Sequence, residues 1–336
     1  MSGLASIRSA LPRLWAGEGG PLAQFLLSCA APLEWGFRAA VATRGTWYDQ
    51  REGNRGPIPV VSVGNLTVGG AGKTPFLKAL WSWLEANGAR AAVVTRGYGD
   101  DEVALYRQWF GADRVFVAPA RIEGVREASA RGMDLALVDD GFQHRRLARD
   151  LDLLLIAAED PFPLRLLPRG PYREPLSAAA RASMVIVTDR TGSGAQEAWR
   201  ERLLDAAPGV SVSDITLGAP GWMSQPEGPM VSGRDVLAVA STASPWTFGA
   251  TVEKLLPDST VQLMSFPDHH DYSTQDVGQI LARAQDRLIA TTEKDAVKLA
   301  PYPEMEGRYS VVEFGVIGSL PEGLTRALVK LLPAER

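Results

Sequence analysis

The sequence predicts an α/β fold: a mostly parallel sheet flanked by helices, with a second, smaller α/β domain. Three observations carry this. From Pro57 onward, short all-apolar runs alternate with amphipathic stretches, the pattern of parallel strands buried on both faces. A glycine-rich segment, Thr67 to Thr74, lies between the first such run and the first helical stretch. A Gly- and Pro-rich stretch, Ala219–Gly233, then separates this series from a second one.

The elements follow in order. Strands are expected at Pro59–Val63, Ala91–Thr95, Val115–Ala118, Leu135–Val138, Leu151–Ala157 and Met184–Thr188. Helices fall between them at Pro75–Glu85, Glu102–Phe110, Ile122–Ala130 and Ala195–Ala206. The second series runs Val236–Ala240, Trp246–Leu256, Val261–Phe266, Thr274–Ala284, Leu288–Thr292, Tyr309–Phe314 and Leu320–Leu332. A chain of 336 residues is long enough for two domains. The expected divisions are an N-terminal helical segment 1–45, a first domain 46–218 and a second domain 219–336, with Ala219–Gly233 as linker.

Composition narrows the function. A formal net charge of −4 provides no global basic field, so no nucleic-acid partner is expected. One cysteine, Cys29, excludes an intramolecular disulfide and suits a reducing compartment. Three histidines, His144, His269 and His270, argue against a histidine metal cage. No obligate protein partner is evident.

The uncharged stretch Gly19–Leu33 is too short, and too interrupted by Pro21 and Pro32, to span a bilayer. Arg8 and Arg13 before Leu22–Ala31 give a weak signal-peptide pattern. A second reading is an interfacial helix. Leu22, Phe25, Leu26, Leu33, Trp35, Phe37, Trp47 and Tyr48 interleave with Arg38, Arg44, Arg51 and Arg55, which suits the headgroup plane of a membrane. The alternative is that the same helix packs on its own domain.

Thr67-Val-Gly-Gly-Ala-Gly-Lys-Thr74 has the strand-before, helix-after context of a phosphate loop, which makes the first domain P-loop NTPase-like. The backbone N–H groups of Thr67, Val68, Gly69, Gly70, Ala71 and Gly72 would surround nucleotide phosphates. Lys73 would place a point charge on the β- and γ-phosphates, and the Thr74 hydroxyl would ligate Mg²⁺. Thr67 stands where a glycine is usual. The Gly-Gly-x-Gly-Lys-Thr ending also resembles partitioning-type ATPases, which leaves a nucleotide switch without a small-molecule acceptor as the alternative function. Leu135–Val138 ends in Asp139 and Asp140, at the strand end where a parallel sheet holds its ligand. Asp139 suits a Mg²⁺ partner. Arg96 and Arg121 follow strands on the same side; Arg121 is equally well explained as a solvated surface charge.

Six ordered blocks resemble the tetraacyldisaccharide 4′-kinase (lipid A 4′-kinase) family. They are Ser62–Pro75, Arg96–Gly99, Asp139–Asp150, Leu166–Leu176, Phe266–Tyr272 and Thr291–Leu299. The resemblance implies ATP- and Mg²⁺-dependent phosphorylation of the 4′-hydroxyl of a tetraacyldisaccharide 1-phosphate, giving the precursor lipid IVA. It also implies a peripheral location on the cytoplasmic face of the bacterial inner membrane, in contact with anionic lipids. It further implies a base pair of Asp101 and His269, with Asp100 the alternative because the segment after Arg96-Gly-Tyr-Gly is shortened. The catalytic set is then Asp101, His269, Lys73, Asp139 and Asp140, and the acceptor is met by Arg96, Arg121, Gln143, His144, Arg173 and Glu174. The family's segment near residue 244 is reduced here to Ser244-Pro245-Trp246.

Two local readings need no family. Glu174 and Arg173 are adjacent and of opposite charge, so they offer each other a structural pair. Thr292 and Asp295 have capping-box spacing, which gives Thr291–Asp295 a structural role. Asp101 and His269 fall in different expected domains.

Overall fold

The computed structural model describes residues 14–15, 20–97, 100–224, 233–242, 245–268 and 270–333. Arg8 and Arg13 of the signal-peptide pattern, and Ser244, lie outside the described residues, as does His269. The chain forms two compact units. The first holds residues up to Gly97, Phe110–Leu217 and Gly318 onward; the second holds Tyr98–Trp109 and Gly218–Ile317.

The first unit begins with two helices, α1 (Gly20–Cys29) and α2 (Ala31–Asp49). Its strands are β1 (Val60–Asn65), β2 (Ala91–Thr95), β3 (Val115–Val117), β4 (Leu135–Asp139), β5 (Leu151–Ala157), β6 (Met184–Asp189) and β7 (Ser211–Ser224, within this unit as far as Leu217). The helices between are α3 (Lys73–Ala86), α5 (Arg121–Ala130) and α6 (Gln196–Ala206); α4 (Asp100–Phe110) belongs to the second unit. The strand order is β3-β2-β4-β1-β5-β6-β7, and these pairings are parallel. β1, β2, β4, β5 and β6 are buried along their whole length, which is why they read as continuous apolar runs rather than alternating ones.

α3 shows how the sheet acquires its cover. Phe76, Leu77, Leu80 and Leu84 recur at helical spacing and are fully buried. Each contributes about 1.5–3 kcal/mol of hydrophobic stabilisation. The helix stops at Asn87 and Gly88, where Gly88 takes a left-handed φ of 79°. Gly88 N–H then bonds the Glu85 carbonyl and Ala89 N–H bonds that of Leu84, so two orphan carbonyls are satisfied.

The second unit carries β8 (Val236–Ala240), α7 (Pro245–Leu255), β9 (Val261–Ser265), α8 (Thr274–Ala284), β10 (Leu288–Thr292), α9 (Glu293–Leu299) and β11 (Tyr309–Ile317). Its strands lie β11-β10-β8-β9, again parallel. The final helix, α10 (Glu322–Val329), belongs to the first unit although the sequence reading grouped it with the second.

β7 departs from the sequence reading, which expected no strand there and a linker from Ala219. Ser211-Val-Ser-Asp-Ile-Thr-Leu217 is too polar to read as a buried run, yet β6 zips it in register from Met184↔Ser211 to Asp189↔Thr216. Residues 219–224 continue as strand.

Candidate active site

β1 ends at Asn65, and the chain turns through Leu66–Gly72 into α3. Gly72 caps that helix with φ 79°, and a Cβ there would lie 2.2 Å from Leu217 Cδ1. Glycine is therefore required twice over, by backbone and by space. The loop presents Val68, Gly69 and Gly70 to solvent, while Thr67 and Ala71 are buried. Its rim is held by Arg190, whose Nη1 donates to the Gly70 carbonyl at 2.9 Å while the guanidinium pairs with Glu159. Below, the Thr188 hydroxyl donates to the Ala71 carbonyl at 3.1 Å.

A second segment, 166–176, closes on this loop. Val68 N–H bonds the Pro171 carbonyl, Arg173 N–H bonds the Leu66 carbonyl, and Thr67 bridges Tyr172 as an antiparallel partner. The segment is in turn held by Glu34 of α2. This nearly buried carboxylate accepts the Leu166 N–H at 3.0 Å and pairs with Arg169 at 3.0 Å.

Asn65 is the hub. Its amide nitrogen donates to Thr67 O, Thr67 Oγ1 and Gly69 O, at 3.0, 3.1 and 3.1 Å. Its side-chain oxygen accepts Lys73 Nζ at 2.9 Å and Arg173 Nη2 at 2.5 Å. Sequence reasoning assigned Asn65 no role. The signal was a polar residue closing an otherwise apolar strand immediately before the glycines.

Asp140 completes the cluster. It sits just past β4 with an unusual positive φ of 48°, which turns its carboxylate toward Lys73 Nζ, 3.3 Å away, and into both terminal nitrogens of Arg173. Burial alone would raise its pKa, but the Arg173 hydrogen bonds and the Lys73 charge overcome this and hold it at about 2. A carboxylate so acidic is a poor proton acceptor, and its contacts hold the Lys73 and Arg173 cations side by side.

Asp139 is buried at the end of β4, in register with Val63 of β1, beside the strand that launches the loop. Arg121 is buried too, with Nη1 on the Ala118 carbonyl and Nη2 on the Asp139 carbonyl. The surface-charge reading of Arg121 is thereby corrected. Burial, and then the charges of Arg121, Arg149, Arg146 and Arg96, lower the pKa of His144 and favour the neutral ring. Gln143 Nε2 donates to the Asn65 carbonyl at 2.8 Å. Glu174 pairs with Arg181 at 2.8 Å, not with Arg173 as the sequence alternative had it.

Lys73, Asp140, Arg173, Gln143 and the loop are thus brought together in the first unit, with Asp139, Arg121, His144 and Arg96 at the neighbouring strand ends. Asp101 lies on α4 in the second unit, where its nearly buried carboxylate pairs with Lys298 Nζ at 3.3 Å. The neighbouring Glu102 pairs with Lys294 at 2.9 Å. The sequence reading had put this segment in the first domain. Of Asp100, the backbone starts α4. Near the undescribed His269, His270 Nε2 meets Asp276 at 3.1 Å. Thr292 caps α9, as expected: its hydroxyl accepts the Asp295 N–H, and Asp295 also holds the Ser241 N–H.

The family model described as tetraacyldisaccharide-1-P 4′-kinase (LpxK) matches residues 26–332. The chain belongs to the tetraacyldisaccharide 4′-kinase family. Relatives in this family include the tetraacyldisaccharide 4′-kinases of Anaeromyxobacter dehalogenans (strain 2CP-C), 38% identical over 90% of this chain and 87% of the relative, and of Gluconacetobacter diazotrophicus, 35% identical over 86% and 89%. A crystal structure of LpxK from Aquifex aeolicus in complex with ATP superposes with a TM-score of 0.71 at 26% identity, covering 92% of this chain and all of that one. Membership in the tetraacyldisaccharide 4′-kinase family makes the chain an ATP-dependent kinase of lipid A biosynthesis. It sets aside the switch-ATPase alternative.

Proposed function

We propose that the first unit binds ATP through Thr67–Thr74 and directs its γ-phosphoryl group to the 4′-hydroxyl of tetraacyldisaccharide 1-phosphate, yielding the 1,4′-bisphosphate. The Lys73–Asp140–Arg173 cluster carries the reading: two cations are aligned at the loop mouth by a carboxylate that stays ionised. Phosphoryl transfer asks mainly for such positioning and charge neutralisation. Lys73 stabilises the transferring group, and Arg173 supplies a second cation beside it. Thr74 and Asp139 offer a hydroxyl and a carboxylate, hard oxygen donors of the kind Mg²⁺ takes together with nucleotide phosphates. When bound there, Mg²⁺ would neutralise phosphate charge.

The acceptor hydroxyl must lose a proton. Asp101, acting with His269, is the proposed base, with Asp100 as the alternative in the shortened segment; Arg96, Arg121, Gln143, His144 and Glu174 are proposed to meet or frame the acceptor's head group. Location at the cytoplasmic face of the inner membrane is supported by Phe25, Leu33, Trp35 and Trp47, which α1 and α2 leave exposed. Among the described residues no helix is long and apolar enough to cross a membrane.

The deciding experiment is transfer of labelled γ-phosphate from ATP to purified tetraacyldisaccharide 1-phosphate. Label in the 4′-phosphorylated lipid, absent with Lys73→Ala, is expected. ATP hydrolysis without labelled lipid would sink the proposal.

A further inference from the structure

The first unit contains a cavity of about 230 Å³ lined chiefly by Tyr48, Arg51, Arg145, Arg149, Asp152 and Arg181. Asp152 is the second residue of β5, and Arg181 precedes β6. The cavity therefore lies at the amino ends of parallel strands, whereas the phosphate loop follows the carboxyl end of β1. Asp152 pairs in register with Ser62, three residues below Asn65, so the two places are about 10 Å apart along the sheet.

The chemistry of the walls is almost wholly polar and mostly cationic. Four guanidiniums meet three carboxylates. Arg145 pairs with Asp49, Arg149 Nε with Asp152 at 3.1 Å, and Arg181 with Glu174. Arg51 has no carboxylate partner among the described residues; its guanidinium stacks over Trp47, 3.8 Å from the ring centroid. Arg181 also covers the Phe142 ring, and its Nε is buried without a hydrogen-bond partner. Burial, with crowding by Arg181 and Arg145, lowers the pKa of Arg149, while burial raises that of Asp152. Four guanidiniums against three carboxylates around open space are suited to a multivalent oxyanion, which planar guanidiniums bind with paired N–H donors.

We propose that this arginine-lined cavity is a second oxyanion site, separate from the phosphate loop, that takes the phosphate of an anionic lipid headgroup. The lipid source is argued from what adjoins it. Tyr48 lies in the last turn of α2 and Arg51 two residues beyond it, beside the exposed Trp47 of the same helix. Trp47 and Tyr48 pack edge to face at 4.6 Å, and aromatic rings beside arginines are the composition of a headgroup zone. The inference is independent of the roles given to Lys73 and Asp101.

The test uses the full chain with saturating ATP, so that the phosphate loop is occupied. Binding is measured to phosphatidylcholine vesicles with and without phosphatidic acid, and to inorganic phosphate. Arg51→Gln with Arg145→Gln is expected to weaken phosphatidic-acid-dependent binding at least tenfold, with ATP affinity unchanged. Arg126→Gln with Arg131→Gln removes the same charge from exposed positions and is expected to leave binding near wild type. Equal losses in the two double variants would mean non-specific surface charge and overturn the site, as would no loss in either. Inorganic phosphate bound with the same dependence on Arg51 and Arg145, but vesicles bound indifferently, would overturn the lipid source. Should the first double variant fail to fold, Arg51→Gln alone, whose side chain lies on the surface, carries the same test.

Discussion

Arg173 grips Asp140 through two hydrogen bonds, Nη1 to Oδ2 and Nη2 to Oδ1, each 3.1 Å. The residues are 33 positions apart, and the grip joins the strand end after β4 to the segment that overlies the phosphate loop. Arg173→Lys keeps the charge but loses the fork. It is expected to lower kcat at least tenfold with a smaller change in ATP affinity, measured by steady-state kinetics and equilibrium nucleotide binding. Near-normal kcat would show that the fork is dispensable.

The acidity of Asp140 sets a pH dependence. Its folded value of about 2 lies below the ordinary 3.8, so folding favours the ionised form. The stability this contributes is present above about pH 4 and is lost as pH falls from there toward 2. Asp140→Asn removes that component. The drop in Tm between pH 5 and pH 3 is expected to be smaller in the variant than in the wild type; an equal drop would mean the ion pairs do not contribute to folding.

Lys73→Ala removes the cation proposed to stabilise the transferring phosphate. Electrostatic groups of this kind are worth roughly 3–4 kcal/mol at the transition state, so turnover should fall about a hundredfold or more. Circular dichroism should stay unchanged, because the truncation alters one partly buried side chain at the start of α3 and leaves the apolar core untouched.

A base acting with a partner gives non-additive kinetics. Asp101→Asn and His269→Ala are each expected to lower kcat by roughly 10²–10⁴. The double variant is expected to be little worse than the worse single one. Fully multiplicative losses would show that the two residues act separately. Asp100→Ala distinguishes the two adjacent aspartates: if it is the crippled variant and Asp101→Asn is mild, the base is Asp100.

Glu34 refines how the membrane role is tested. Deleting residues 1–40 would strip α2 of the carboxylate that holds Leu166 and Arg169, and so loosen the segment over the phosphate loop. That deletion is expected to weaken ATP binding. Leu33→Ser with Trp35→Ser, both exposed, is expected to reduce vesicle binding while ATP affinity holds. Unchanged vesicle binding would exclude α2 as the contact.

The sequence by itself determined the buried strands, the glycine-rich loop between β1 and α3 and the acidic strand end. β1, β4 and β5 are covered on both faces, so their apolar runs needed no tertiary context to be read. The loop was legible because its shape is a backbone property, and glycine spacing records it directly. Only the tertiary structure decided the rest. β7 is a strand because β6 offers it a hydrogen-bonding edge, a long-range pairing that local polarity concealed. Asp140 rather than Glu174 is the partner of Arg173, since the choice depends on where the 166–176 segment folds back. Asn65 became a hub by pointing its one amide at three loop acceptors while its carbonyl oxygen took two cations. Helix α4 joined the second unit through Lys294 and Lys298, 192 and 197 residues further along the chain from Glu102 and Asp101, a distance over which sequence carries no local signal. Periodicity and glycine spacing are short-range properties and survive in the unfolded chain; ion-pair partners are chosen only when the chain has closed.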